Sequence, residues 1–252
     1  MYNLLDHIAA SATGGDFSKS IDEVLEAYSA MGYKKFEVYT GGRGSSLNLS
    51  NPPEFYLEKG RKQNLSFSSL HLSVIEEGKV EDGMQLAIKQ ALYAKALKVK
   101  IVIFKAHTKE IYIKQAKIFL DAMKGHGITT VIQIHEGGAF NNLEDLIEVF
   151  SGIDDQRMKL LLEVGTLHAF GIPWKQACDV LGERIALVHV KDMIGTQCVP
   201  FGNGEIDIPG LFMHMKKHGY EGDFVVEIDP KDKENTRGYI KDALDYIRTY
   251  CT

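Results

Sequence analysis

Three apolar segments in the C-terminal half of the chain each deliver a side chain that can bind a metal ion or move a proton. "MKLLLE" ends at Glu163, "RIALVHV" carries His189 and "DFVVE" ends at Glu227. A carboxylate that follows an apolar run is costly to bury unless it is paired or bound to a cation. Imidazole nitrogens beside carboxylate oxygens are ligands that Zn²⁺, Mn²⁺ and Co²⁺ prefer. The pattern therefore predicts a divalent metal site, and salt bridges to Lys191 or Arg184 are the alternative interpretation.

Most histidines also fall near the ends of apolar segments. A single histidine in such a place is more often a hydrogen-bonding residue than a ligand. Several together carry more weight, because the carboxyl ends of the strands form the active-site face of an α/β barrel. The histidines that finish or follow a predicted strand are His7, His71, His107, His135, His168 and His189.

Short apolar runs alternate with amphipathic segments along the whole sequence, which is typical of strand–helix repeats. Helical periodicity fills the intervals, as in "FSKSIDEVLEAYSAMG", where Ser18 or Ser20 can cap the helix and Gly32 follows its end. The predicted strands are Tyr2–Ile8, Lys35–Thr40, Leu65–His71, Lys100–Ala106, Ile128–Ile134, Lys159–Glu163, Ile185–Val190 and Asp223–Ile228.

Several of these runs, such as "KIVIF" and "ITTVIQI", are apolar on both faces, as in parallel sheets covered by helices. Eight strand–helix units in 252 residues without a linker predict an α/β fold, a single (β/α)8 TIM barrel domain spanning residues 1–252. An open doubly wound sheet is the runner-up, but no GxGxxG follows the first strand. The glycine-rich "TGGRGSS", residues 40–46, matches neither a dinucleotide nor a phosphate loop and is predicted to be flexible.

The composition, 44% hydrophobic and 25% charged, is that of a globular protein with a sizeable core. A net charge of −5 argues against sequence-independent binding to nucleic acid, which needs a basic surface. No apolar run reaches the roughly 20 residues of a membrane span, and the start of the chain lacks the basic region of a signal peptide. Cys178, Cys198 and Cys251 have no metal-type spacing and are typical of reduced thiols. We therefore expect a cytoplasmic protein.

The C-terminal motifs resemble those of the xylose isomerase-like TIM barrel family, which includes sugar isomerases and epimerases, inosose dehydratases and endonuclease IV. The resemblance spans nearly the whole chain. It is strongest over residues 185–229, where "HVKD" is followed by "GNGEID", "GYEG" and Glu227. The segment "MGYKKFEVYT", which contains Glu37, is similar to the second-strand segment of the family.

In the epimerases and isomerases of that family, one divalent ion is held by Glu, Asp, His and Glu from strands five to eight. The resemblance implies a site for Zn²⁺, Mn²⁺, Co²⁺ or Mg²⁺ in which His189 and Glu227 are the last two ligands and Glu163 stands at the Asp position. Gln133 stands where the first Glu is expected; its amide oxygen can ligate but cannot act as a base. Glu136 is the alternative ligand, although alternation places it on the other face from Gln133.

The same resemblance implies the substrate contacts and the reaction. Thr166 stands where the family often has a substrate-binding His, and His168 is a candidate substitute. His71, His107 and His135 are expected to hydrogen-bond substrate hydroxyls. The candidate catalytic groups are Glu227, Glu163 and Lys191.

With Gln133 in place of one of two bases, the expected enzyme is a metal-dependent sugar isomerase or epimerase that abstracts a proton from a sugar, sugar acid or cyclitol. An inosose dehydratase-like lyase is one alternative, in which Lys191 or a histidine supplies the second proton. A carbohydrate-binding barrel with a degraded metal site is the other. A DNA-repair endonuclease is disfavoured by the acidic charge. The expected partner is a small carbohydrate or cyclitol, without nucleic acid or membrane, and an oligomer is compatible with the sequence.

Overall fold

A computed structural model describes residues 3–12, 16–41 and 44–251. Its eight barrel strands are parallel and close in the order β1-β10-β7-β6-β5-β4-β3-β2. The closed barrel confirms the predicted TIM fold and excludes the open sheet; a single domain over residues 1–252 stays a prediction. The strands are β1 Ile8–Ser11, β2 Lys35–Tyr39, β3 Ser66–Ile75, β4 Ile101–Ala106, β5 Thr129–Gln133, β6 Met158–Glu163, β7 Ile185–Val190 and β10 Asp223–Val226, with β8 Asp192–Ile194 and β9 Gln197–Val199 forming a separate antiparallel pair.

Helices cover the outside of the barrel. Ser20 caps the first of them, because its side chain accepts from the Glu23 amide while the Glu23 carboxylate accepts from the Ser20 amide. No helix in the described part of the chain is long and apolar enough to cross a membrane. The helices are α1 Ile21–Ala30, α2 Pro53–Lys62, α3 Val80–Ala96, α4 Lys109–Ala122, α5 Leu143–Ile153, α6 Val164–Ala169, α7 Trp174–Leu181, α8 Ile208–Lys217 and α9 Thr236–Tyr250.

The predicted first strand, Tyr2–Ile8, is wrong. Leu4–His7 form a 3-10 helix, and the strand runs instead over Ile8–Ser11, whose alanines are too small to mark it in a hydropathy pattern. Tyr2 lies outside the described residues, as do Gly42 and Arg43 of the predicted flexible loop. The correction moves His7 to the start of β1, away from the carboxyl ends of the strands.

One layer of apolar side chains fills the barrel interior, and all of its members are fully buried: Ala9, Ile103, Val131, Leu161, Leu187 and Val225. A larger core lies between the outer faces of the strands and the helices. Because side chains two positions apart share a face of a strand, the next inward positions follow directly from this layer. They are Ser11, Lys105, Gln133, Glu163, His189 and Glu227. The apolar layer is thus the floor of a polar site at the carboxyl ends of the strands.

Candidate metal centre

His189, near the end of β7, lies at the centre of a cluster of carboxylates and is itself fully buried. Its Nδ1 lies 3.1 Å from Glu163 Oε2 and 3.3 Å from Glu227 Oε2. Its Nε2 lies 3.0 Å from Glu37 Oε2. The register of the barrel strands brings these groups together. Glu163 of β6 and Val225 of β10 are both paired with His189, and Glu227 is two positions after Val225.

Lys191 completes the Nδ1 side of the cluster. Its Nζ lies 2.8 Å from Glu227 Oε2 and 3.3 Å from Glu163 Oε1, and Gln133 Nε2 donates to Glu163 Oε2 at 3.2 Å. The stem of Lys191 passes directly over Gly165 in α6, where any Cβ would overlap it. The predicted salt bridge to Lys191 is therefore formed. The alternative partner Arg184 lies elsewhere, donating to backbone carbonyls of Asp155 and Met158.

Glu37 forms the Nε2 side, and its side chain is fully buried. Ser69 Oγ donates to Glu37 Oε2 at 2.7 Å, and Tyr39 OH donates to Oε1 at 3.4 Å. His71 Nε2 lies 2.9 Å from Glu37 Oε1, without the geometry of a hydrogen bond. The ring of Tyr39 stacks on His71 with centroids 4.3 Å apart.

Opposite effects set the pKa values of the cluster. Burial lowers the pKa of His189, but the charge of Glu37 and the hydrogen bonds to Glu163 and Glu227 raise it well above its usual range. Burial raises the pKa of Glu227, but the charges of Lys191 and His189 hold it well below its usual range. For His71, burial outweighs the charge of Glu37 and lowers the pKa to about 4. At neutral pH without a metal ion, His189 is therefore an imidazolium and His71 is neutral.

Two overlapping donor sets in the described part of the chain could hold a metal ion, each with donor atoms within 4.8 Å of one another. One consists of Glu163, His189 and Glu227, and the other of Glu37, His71 and His189. The first set contains three of the four predicted ligands, and Gln133 is hydrogen-bonded to it. Glu136, the alternative to Gln133, is exposed on the loop after β5.

The other predicted substrate-binding residues are not brought into the cluster. Thr166 is buried in α6. His107 pairs with Glu76 and His168 pairs with Glu205 on the surface, and His135 is exposed with its Nδ1 2.8 Å from the carbonyl oxygen of Glu136. Of the predicted substrate-contacting histidines, only His71 lies in the cluster. The role of the others in substrate binding stays a prediction.

Asp192, in β8, anchors the loop of residues 202–206. Its carboxylate accepts from the backbone amides of Met193, Gly202, Gly204 and Ile206. A Cβ at Gly204 would overlap this carboxylate, so glycine is required there. The loop is thereby fixed beside the β8–β9 pair.

Sequence reasoning missed several residues of the site. Glu37 was noted only as part of a family segment. Ser11, whose Oγ is 2.7 Å from Tyr39 OH, carried no signal, since serines are common. Lys105 could have been found by alternation, because it follows the inward-facing Ile103 by two positions; its Nζ lies 6.0 Å from the centroid of the Tyr39 ring.

The size of a cavity does not identify the site in this protein. A cavity of about 960 Å³ opens at the opposite end of β7, where its lining includes residues 178–186 and 218–222. None of the clustered residues lines it. The candidate site is identified instead by the convergence of buried charges.

A family model described as a xylose isomerase-like TIM barrel matches residues 25–250. An inosose dehydratase from Mesomycoplasma hyopneumoniae is 26% identical, covering 94% of this chain and 90% of the relative. The 3-keto-D-glucoside 4-epimerase YcjR from E. coli, in its apo form, superposes with a TM-score of 0.80 at 15% identity, covering 96% of this chain and 99% of the other. The IolI protein with a bound zinc atom superposes with a TM-score of 0.77 at 17% identity, covering 97% of this chain and 99% of the other. The two structural likenesses show a shared fold.

Proposed function

The chain belongs to the xylose isomerase-like TIM barrel family, and from this premise we propose that it is a metal-dependent enzyme that removes a proton beside the carbonyl of a sugar or cyclitol ketone. The observation that carries the proposal is the contact of 2.8 Å between Glu227 Oε2 and Lys191 Nζ. It places a carboxylate base next to an ammonium acid on one side of the site. Gln133, an amide, stands where a second base would be needed for a two-base epimerisation.

The donor chemistry of the site fits a divalent cation. Glu163, His189 and Glu227 present two carboxylates and one imidazole. Among the described residues, the buried Oε1 of Glu163 accepts no hydrogen bond and lies 3.3 Å from the Lys191 ammonium. These three residues would hold the ion, with the amide of Gln133 as a neutral fourth group. When bound, such an ion polarises the substrate carbonyl and makes the neighbouring C–H more acidic.

The residues of the chain then account for the proton transfers of a dehydration. Glu227 takes the proton from carbon, and the electron pair of that C–H bond forms a C=C bond. The C–O bond at the next carbon breaks, and the hydroxyl leaves as water with a proton from Lys191. The proton held by Glu227 then passes to Lys191 across their contact, which restores both groups.

Water elimination uses both groups of the pair, whereas isomerisation of an aldose and a ketose needs Glu227 and a return of its proton to the neighbouring carbon. The 26% identity to an inosose dehydratase along nearly the whole chain supports a dehydration of a cyclitol ketone. The three free cysteines and the net charge of −5 support a cytoplasmic enzyme with a small-molecule substrate.

The test is a reaction in deuterated water with the protein loaded with Zn²⁺ or Mn²⁺ and supplied with inosose-type ketones and ketoses. Dehydration gives an unsaturated ketone with loss of water, and isomerisation gives deuterium at carbon without loss of water. Glu227→Gln should lower the rate by about 10²–10⁴-fold. Glu136→Gln, which removes an exposed carboxylate near the site, is the matched control and should keep the rate. Absence of both deuterium exchange and water loss with every ketone would contradict the proposal.

A further inference from the structure

Each ring nitrogen of His189 faces a carboxylate, and this arrangement restricts which nitrogen can carry the proton of a neutral ring. Nε2 faces Glu37 at 3.0 Å, and Nδ1 faces Glu163 and Glu227 at 3.1 and 3.3 Å. A neutral imidazole has one N–H donor and one lone pair. A cation held by the Nδ1 lone pair therefore requires the N–H on Nε2, and that N–H needs a buried acceptor.

Glu37 supplies this acceptor and is held in place by groups on its own strand, β2, and on the two neighbouring strands, β1 and β3. Its Oε2 also accepts from Ser69 Oγ of β3 at 2.7 Å, while Tyr39 of β2 joins its Oε1 to Ser11 of β1. The side chains of Glu37, Ser69 and Ser11 are all fully buried. A carboxylate with this many fixed donors and no access to solvent cannot swing away from His189.

The two sides of His189 therefore differ in what they can bind. On the Nδ1 side, Glu227 and Lys191 keep 19% and 15% of their side-chain surface accessible, so a cation and a substrate can reach them. On the Nε2 side, both Glu37 oxygens are already engaged by protein groups. The open side is suited to an exchangeable ligand, and the closed side is suited to orientation of the ring.

We propose that Glu37 is the positioning residue of the metal centre: by accepting the Nε2–H of His189, it fixes the ring so that the Nδ1 lone pair points to the ion held with Glu163 and Glu227. This inference rests on the proposed function. Outer carboxylate partners of this kind typically change metal affinity by about 10- to 100-fold when they are removed. Glu37 then acts on the reaction through His189 and touches neither substrate nor ion.

The full-length protein, stripped of metal, is titrated with Zn²⁺ in competition with a chromophoric chelator, and the His189 ring nitrogens are followed by ¹⁵N NMR. Glu37→Gln keeps the size of the side chain and removes its charge. We expect it to bind Zn²⁺ about 10- to 100-fold more weakly than the wild type. We also expect the ¹⁵N signals of His189 in this variant to differ from those of the wild type, in which Nε2 is protonated and Nδ1 is bound to the metal.

Ser69→Ala is the second variant, in case Glu37→Gln does not fold. It removes the donor at 2.7 Å from Glu37 and should weaken binding several-fold with the same direction of change in the ring signals. Wild-type affinity and an unchanged His189 pattern in both variants would overturn the inference while leaving the proposed metal site intact. A wild-type protein that binds no Zn²⁺ would overturn the proposed function as well.

The competing arrangement places the ion between Glu37, His71 and His189 Nε2. His71→Gln distinguishes the two. If Glu37 only positions His189, this variant keeps most of the Zn²⁺ affinity and the Nδ1-bound ring pattern. A loss equal to that of Glu37→Gln, with Nε2 as the metal-bound nitrogen, would overturn the inference.

Discussion

Carboxylates face both ring nitrogens of His189, but the two sides of the ring differ in exposure to solvent. On the Nδ1 side, the carboxylates of Glu163, which ends β6, and Glu227, which follows β10, meet an ammonium and an amide, and part of this side is open to solvent. On the Nε2 side, a carboxylate of β2 is enclosed by hydroxyls and by the ring of His71. The proposed roles follow this difference in exposure. The open carboxylates are the proposed cation ligands and proton acceptor, and the enclosed carboxylate is proposed to hold the central ring.

Replacement of His189, the residue that joins the two sides, should have the largest effect. His189→Asn leaves Glu37 buried without its cationic partner, and removal of one member of a buried ion pair typically costs about 3–5 kcal/mol. We expect a loss of stability of that order in urea unfolding, together with the loss of metal binding. His168→Asn, which alters a surface pair with Glu205, is the control and should leave stability nearly unchanged. Equal stability of the two variants would show that the sides are not coupled through His189.

Replacement of Lys191 should separate metal affinity from activity on the open side. The ammonium occupies the carboxylates that a cation would use, so Lys191→Met should increase metal affinity by about tenfold or more, since hydrogen bonds to charged groups contribute about 1.5–3 kcal/mol. Turnover should fall because the proton donor is lost. Calorimetric titration with Mn²⁺ and rate measurements test both effects.

Gly165→Ala should act in the same direction as Lys191→Met, because a Cβ there overlaps the Lys191 stem. Lys105→Met removes a second inward-facing ammonium, near Tyr39, and should leave the metal affinity unchanged. An unchanged or reduced affinity in Lys191→Met would mean that the ammonium does not compete with the ion.

The closed side should be detectable in the pH dependence of stability of the metal-free protein. Burial lowers the pKa of His71 to about 4 from its usual 6.5. Between these values, only the unfolded chain takes up the proton, so the contribution of His71 is present above pH 6.5 and falls away as the pH decreases to about 4. Relative to His71→Gln, the free energy of unfolding of the wild type should decrease by up to about 3 kcal/mol over this interval.

Urea unfolding of both proteins with a chelator present, from pH 7 to pH 4, provides the measurement. His189 is common to both proteins, so its own pH dependence cancels in the difference. Parallel profiles would show that His71 is not held neutral by burial.

The smallest effects are expected for the histidines outside both sides. His107→Ala, His135→Ala and His168→Ala should each keep the metal affinity, because these side chains lie on the surface of the rim. Steady-state kinetics would show changes in KM of at most a few-fold if the substrate stays within the cluster. A large increase in KM would show that the substrate extends to the rim, as the sequence predicts. Loss of metal would contradict the site described above.

Much of the barrel could be predicted from the sequence, since strands buried on both faces leave a clear apolar signal. The prediction for β7, Ile185–Val190, agrees with the structure, and that for β4 differs by one residue. The first strand was misplaced because, after Ile8, its positions are occupied by two alanines and a serine. The short β8–β9 pair was missed because each strand has only three residues, too few for periodicity.

The candidate site could be predicted where a polar residue ends an apolar run, as for Glu163, His189 and Glu227. Site residues could not be predicted when they lie in the middle of a strand, or when they belong to a common residue type that gives no chemical signal. Glu37 sits within β2, beside a shift in its register with β3, and Ser11 and Ser69 carry no distinctive chemistry. His135, by contrast, ends the same apolar run as Gln133, but the strand stops at Gln133, and beyond the buried Ile134 the side chain of His135 is exposed.

The sequence by itself determined the barrel, its family and the side chains available at the carboxyl ends of its later strands. These features depend on apolar periodicity and local motifs, which involve residues close together in the sequence. Only the tertiary structure decided which partners these side chains meet. Glu37 and His189 are separated by 152 positions, and their contact at 3.0 Å exists because the barrel closes β1 between β2 and β10. Which nitrogen of His189 is enclosed and which is open follows from that closure.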